Sequence, residues 1–187
     1  MSRKRFWWLL LVIGMLAGAP WAITHAVFTD TQAVTGNTFS TGSVDISTSP
    51  TSALVTFSGM VPGDKVTAPL TVSNAGTLQL RYAMSTAISG STTLSDGLTL
   101  AIKSGVTTCS NAGFSTDGTS AYSGTLTAGA IGSNAQGAQA GDRTLNTSSN
   151  EVLCFQVSLS SGASSTLQGL STTATFTFDA EQTTNNP

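Results

Sequence analysis

The stretch "VTAPLTVSNAGTLQLRYAMS", residues 66–85, decides the fold. Val66, Ala68, Leu70 and Val72 fall on one side of an extended chain, and Thr67, Thr71 and Ser73 fall on the other. Asn74-Ala75-Gly76 interrupts the run as a turn signal. The alternation then resumes, with Leu78, Leu80, Tyr82 and Met84 set against Thr77, Gln79 and Arg81. A period of two belongs to a half-buried strand, because successive side chains leave opposite faces of the sheet. Pro69 has no N–H to give to a ladder, so its strand is expected to be at an edge or bulged there.

The same pattern extends outward in both directions. Upstream, Val44 and Ile46 alternate with Ser43, Asp45 and Ser47. "ALVTFSGM" places Ala53, Val55 and Phe57 on one side and predicts another strand. Pro62-Gly63-Asp64 is a turn, with proline presetting φ and glycine free to take a positive φ. Downstream, Ser95-Asp96-Gly97 marks a turn or a single helical turn before Leu98, Leu100 and Ile102. Residues 104–150 are rich in Gly, Ser, Ala and Asn and read as a long loop insertion, with one short strand near Tyr122 to Leu126. Period two returns in Leu153, Phe155, Val157 and Leu159, and again in Ala174, Phe176 and Phe178. About eight short strands without an amphipathic helix predict an all-β chain, a two-sheet antiparallel sandwich.

The N-terminus has a different character. Arg3, Lys4 and Arg5 precede an apolar run from Phe6 to Ile23, broken at Pro20. A basic start, an apolar stretch and small residues form the layout of a secretory signal peptide. Thr24-His25-Ala26 is a small-x-small site, so cleavage is expected between Ala26 and Val27. An uncleaved membrane anchor is the alternative, since crossing a bilayer takes about 20 apolar residues. Either way the remaining chain is expected outside the cytoplasm, with the basic end inside. The expected organisation is residues 1–26 as signal peptide, 27–48 as an extended N-terminal segment and 49–187 as the sandwich.

Loss of the leader would alter the available chemistry. His25, the only histidine, leaves with it. Four basic residues remain (Lys65, Arg81, Lys103 and Arg143) against nine acidic ones, a net charge of −5. Nucleic acid is therefore an unfavourable partner. Only 9% of residues are charged, while Ser and Thr abound, which suits strands with Thr-lined outer faces. Cys109 and Cys154 are the two cysteines. An even pair in an exported chain reads as one disulfide, with two buried free thiols as the alternative.

Several of these stretches resemble one family. "AVFTDTQAVTGNTFSTGSVDIS" after the leader, "VPGDKVTAPLTVSNAGTLQLRYAMS", "GDRTLNTSSNEVLCFQVSLS" and "STTATFTFDAEQT" occur in the order found in TasA/camelysin-type proteins, which are exported matrix-fibre and spore-coat-associated proteins. The resemblance implies a jelly-roll sandwich and processing by an ER-type signal peptidase. It also implies a self-assembling homopolymer at the cell surface or in a biofilm matrix, built by donor-strand exchange. In such exchange the mature N-terminus completes the sheet of the next subunit. Val27, Phe28, Val34 and Phe39 would anchor that segment, with membrane contact only through an uncleaved leader. Pairing of residues 27–47 within their own sandwich is the competing expectation.

Two other function classes deserve weighing. Camelysin relatives carry a surface metallopeptidase label, yet zinc peptidases take three protein ligands, typically two histidines and a carboxylate. A mature chain without histidine supplies neither those ligands nor a histidine base for serine or cysteine catalysis. No catalytic residue and no zinc site is therefore expected, and no cofactor. Calcium would need oxygen ligands, to which Asp117 or Asp142 in the loops could contribute; Asp at a turn is the simpler reading. A non-assembling adhesin or binding module would expose loop aromatics, and only Phe114 and Tyr122 qualify. Asn146-Thr147-Ser148 also matches a glycosylation acceptor.

Overall fold

The computed structural model describes residues 32, 36–52, 54–56 and 58–186. The expected leader, the expected cleavage site Ala26–Val27, and Val27, Phe28 and Val34 lie outside the described residues. The chain divides into two compact units, Met1–Phe39 and Ser40–Pro187. Of the first unit only residues 32 and 36–39 are described, and Phe39 is 94% exposed.

The second unit is a sandwich of two antiparallel sheets. Among the described residues there are nine strands: β1 (Ile46–Ser49), β2 (Lys65–Asn74), β3 (Leu80–Gly90), β4 (Leu98–Ser104), β5 (Thr119–Thr125), β6 (Ala130–Ile131), β7 (Arg143–Leu145), β8 (Asn150–Leu159) and β9 (Thr172–Gln182). One short helix, α1 (Thr92–Gly97), separates β3 from β4; the Ser91 side chain caps it by accepting from the Leu94 N–H. The first sheet has the order β1-β2-β8-β4-β5. In the second, β3 is central, with β9 along one side and the short β6 and β7 on the other.

The period-two faces meet between the sheets. Leu70 and Val72 of β2, Leu100 and Ile102 of β4, and Leu153 and Phe155 of β8 pack against Leu80, Tyr82 and Met84 of β3. These side chains are essentially inaccessible to solvent. Tyr82 stands 5.9 Å from the Phe178 ring and Phe155 stands 5.1 Å from Phe176, both tilted, within the range for favourable aromatic pairs.

Each long loop covers an outer sheet face. Residues 105–118 fold over the first sheet, where Lys103 Nζ donates to the carbonyls of Phe114 (2.8 Å) and Asp117 (3.1 Å). Cys109 in this loop is bonded to Cys154 on the outer face of β8, with Cα atoms 5.5 Å apart and a sequence separation of 45. Closing such a loop is worth about 4 kcal/mol in the chain-entropy picture. Residues 132–142 fold over the second sheet. Arg81 Nε donates to Glu181 Oε1 (2.6 Å), which also accepts the Gly137 N–H (3.0 Å). The insertion, expected as a long loop with one short strand near Tyr122 to Leu126, is two separate covers joined by β5 (Thr119–Thr125) and β6.

Two sequence expectations change. Of the stretch expected as a strand, the described residues 54–56 and 58–60 are irregular, and Ala53 and Phe57 lie outside the described residues. Pro69 accounts for this. In β2 the even-numbered residues bond to β8, as the Leu159 N–H to Asp64 carbonyl and Asn74 N–H to Ser149 carbonyl bonds fix. Odd-numbered residues, Pro69 among them, therefore face β1. The β1 ladder ends at the Ser49–Thr71 pair. Beyond it the next bonded pair would be Thr51–Pro69, and Pro69 offers no N–H, so the ladder stops there. Pro69 thus sits at a local edge although β2 itself has neighbours on both sides. The second change concerns residues 27–48. Residues 46–49 pair with β2 in their own sandwich, and the Ser43 carbonyl accepts the N–H groups of Thr77 and Leu78.

Candidate functional site

An uncovered sheet edge beside an apolar groove is the most distinctive surface of the sandwich. Unpaired edges expose rows of N–H and C=O groups, and folded proteins usually shorten, bulge or cover them. Here β1 has four residues, and β6 and β7 have two and three. The β5 edge carries a register shift opposite Ile102/Lys103. Strand β9 has none of these devices. It runs unbroken for eleven residues against β3, without proline, and without charge before Asp179.

The register shows which backbone groups of β9 are free. The Ser91 N–H donates to the Ser171 carbonyl, and the Thr183 N–H donates to the Gln79 carbonyl. Odd-numbered residues therefore carry the bonds to β3, while even-numbered residues turn theirs to the open side. Among the described residues no backbone hydrogen bond reaches that side. The even residues Ala174, Phe176 and Phe178 also point their side chains inward, where they form one wall of a groove of about 560 Å³. Leu54, Val55, Met60, Leu70 and Val157 also line it. Leu54, Val55 and Met60 are partly buried against the core.

Several polar side chains named from the sequence are hydrogen-bonded within their own loops. Asp142 accepts the N–H groups of Ser133 (3.0 Å) and Gln139 (2.8 Å), and so clamps its own loop. Asp117 accepts the Thr107 N–H, and hydrogen bonding to Thr107 holds its carboxyl below the ordinary value. Both carboxylates considered for calcium are thus engaged by backbone donors. Asn146 is exposed, with Oδ1 accepting from Gln79. Phe114 is buried beneath Lys103, 5.0 Å from the ammonium to the ring centroid, and is not a loop aromatic available to a ligand.

At one end of the core Tyr82 donates to Glu151 Oε1 (2.5 Å), which Arg143 Nε also engages (2.9 Å). Burial, and then the Glu151 carboxylate, push the Tyr82 hydroxyl far above its ordinary value. A hydroxyl raised in the folded state stabilises fully below the unfolded value, about pH 10, and that stabilisation is lost as pH rises beyond it. Tyr82→Phe is expected to cost about 1 kcal/mol at pH 7 and to flatten the decline in stability above about pH 10. Urea midpoints at neutral and alkaline pH measure this; parallel declines in both proteins would contradict it.

Groove and edge together define a class: an all-β sandwich with one long strand edge left open over apolar side chains. Residues 10–98 match the model of the family described as camelysin metallo-endopeptidase, and over that stretch the chain is similar to that family. No curated protein matches the chain. Strand β9 lies outside the matched stretch, so the groove stands on geometry alone. Both cysteines are bonded to each other, the one histidine is His25, and the described residues hold no group of three His, Cys, Asp or Glu side chains.

Proposed function

We propose that the protein is an exported structural subunit of a surface or matrix fibre. In this reading the segment that follows the leader in one copy adds as a strand to β9 of the next. The observation that carries the reading is the free row of backbone groups on the even residues of β9, set over a groove that buries alternate side chains. Strand addition uses these two features together: the ladder provides affinity and the groove selects side chains.

The occupant is residues 27–39 of a second copy. Thirteen extended residues reach about 43 Å, against about 36 Å for the eleven of β9. The segment has one charge, Asp30, to match an uncharged Thr172–Phe178 edge. Phe28 and Val34 lie six residues apart and so share one face of a strand. Phe39, almost fully exposed, supplies a further apolar side chain. Because the donor segment and the acceptor edge are different surfaces, addition is head to tail and does not close, which gives filaments. Processing by an ER-type signal peptidase would free the donor end.

Purified residues 27–187 are expected to form filaments visible in negative stain, and a chain lacking residues 27–39 is expected to remain monomeric. Equal assembly by the truncated chain would remove the donor role.

A further inference from the structure

The two ends of β9 differ in charge. From Ser160 to Phe178 the chain carries no charged side chain, and the charges of the strand, Asp179 and Glu181, both fall at its C-terminal end. Both residues are odd-numbered, so their side chains leave the outer face of the sheet, away from the groove. Glu181 Oε1 is engaged by Arg81 Nε and by the Gly137 N–H. Asp179 is exposed. The donor proposed above is just as unequal. Asp30 is the one charged side chain of residues 27–39, and removal of the leader would add a positive charge at the α-amino group of Val27. An α-amino group titrates at about pH 8 and is a cation at neutral pH.

From this we infer that the donor lies antiparallel to β9, with the α-amino group of Val27 against the Asp179 carboxylate, and that Asp179 sets the direction of addition. The inference rests on the strand-addition reading and names its polarity. In an antiparallel pair, residues directly opposite share a face, so Phe28 on the groove side stands opposite an even-numbered residue. Phe28 opposite Phe178 puts Val27 opposite Asp179 and Val34 opposite Thr172. The even residues of β9 make the bonded pairs on this side, so Val27 and Asp179 form a non-bonded pair with Cα atoms about 4.5 Å apart. The α-amino group then owes nothing to the ladder and lies within reach of the carboxylate. Gly36, at φ +86°, falls just past the Thr172 end, where the chain turns away without breaking a pair. Parallel addition would set the α-amino group at the uncharged end of β9, and parallel pairs are slightly less stable per residue. Asp30 does not cancel the attraction. Opposite Phe176, it lies about 10 Å along the strand from Asp179, one screening length at about 0.1 M salt. Removal of the leader would thus do two things: free the segment and create the charge that orients it.

The test measures the critical concentration for filament growth by residues 27–187 at low salt. Asp179→Asn is expected to raise it about two- to five-fold, the range of an exposed ion pair, while Asp179→Glu keeps it near the unsubstituted value. Acetylation of the α-amino group is expected to raise it by a similar factor. Both changes break one contact, so the acetylated Asp179→Asn chain is expected to be no worse than either alone. Thermal unfolding of the Asp179→Asn monomer is expected at the unsubstituted temperature, because the side chain is exposed. An unchanged critical concentration in Asp179→Asn, effects of the two changes that multiply, or a matching fall in the unfolding temperature would overturn the contact while leaving strand addition in place. Absence of assembly in the unsubstituted chain, or equal assembly by a chain lacking residues 27–39, would overturn both.

Discussion

Ala174→Pro is expected to abolish filament growth and to leave the monomer folded. Ala174 is an even-numbered residue of β9, so its N–H points to the open side and takes no part in the bonds to β3. Proline there removes one donor from the free row and sets the bulk of its ring against any strand that approaches. Within the subunit it breaks no hydrogen bond, and extended φ values lie near enough to the proline range for the strand to accept it at an edge. Thr175→Pro is the matched control. Residue 175 pairs with Ala87 of β3 and bonds to it, so proline at that position breaks the ladder and lowers the unfolding midpoint of the monomer itself. Filament yield by sedimentation, with thermal unfolding of each variant, separates the two effects. Filaments from Ala174→Pro at the unsubstituted yield would place the acceptor edge elsewhere.

Phe155→Ala carries the largest expected loss of stability. Phe155 lies at the centre of β8, is fully buried, and touches β9 through the Phe176 ring. Truncating a buried phenylalanine costs about 3–5 kcal/mol, as lost transfer energy and as a cavity that the surroundings only partly close. Against a domain stability of about 5–15 kcal/mol, that is a large fraction. Because the lost ring supports Phe176 in the groove wall, the same substitution is also expected to weaken assembly. Urea unfolding of a monomeric sample measures the first effect; a midpoint within error of the unsubstituted protein would contradict the packing described here.

Much of this architecture is legible in the residues. Alternation identified the inward faces of β2, β3, β4, β8 and β9 without error of phase: Leu70 and Val72, Leu80, Tyr82 and Met84, Leu98 to Ile102, Leu153 to Leu159, and Phe176 and Phe178 all point into the sandwich. A one-residue slip would have exposed every one of them, and for that reason the signal is strong. The fate of 53–57 was not legible from alternation alone. It depends on Pro69 sitting opposite the place where β1 would have to continue, and a pairing register between distant residues is not written in either segment. The short β6 and β7 escaped notice because two or three residues show no period. The open edge escaped notice for a different reason. Period two says which side chains face inward, but it is silent on which backbone edge finds a neighbour. The signal available in hindsight is negative: "TTATFTF" lacks the lysine, proline or bulge that usually protects an edge.

The central claim is that the end released by export joins β9 of another copy. The most direct measurement is a cryo-electron microscopy map of filaments grown from residues 27–187, at a resolution that traces side chains. The account predicts an added strand along the even-numbered face of β9, continuous with residue 40 of the neighbouring subunit, with Phe28 and Val34 on its groove side. A map in which residues 27–39 stay with their own subunit and the contact between copies lies on another surface would contradict it.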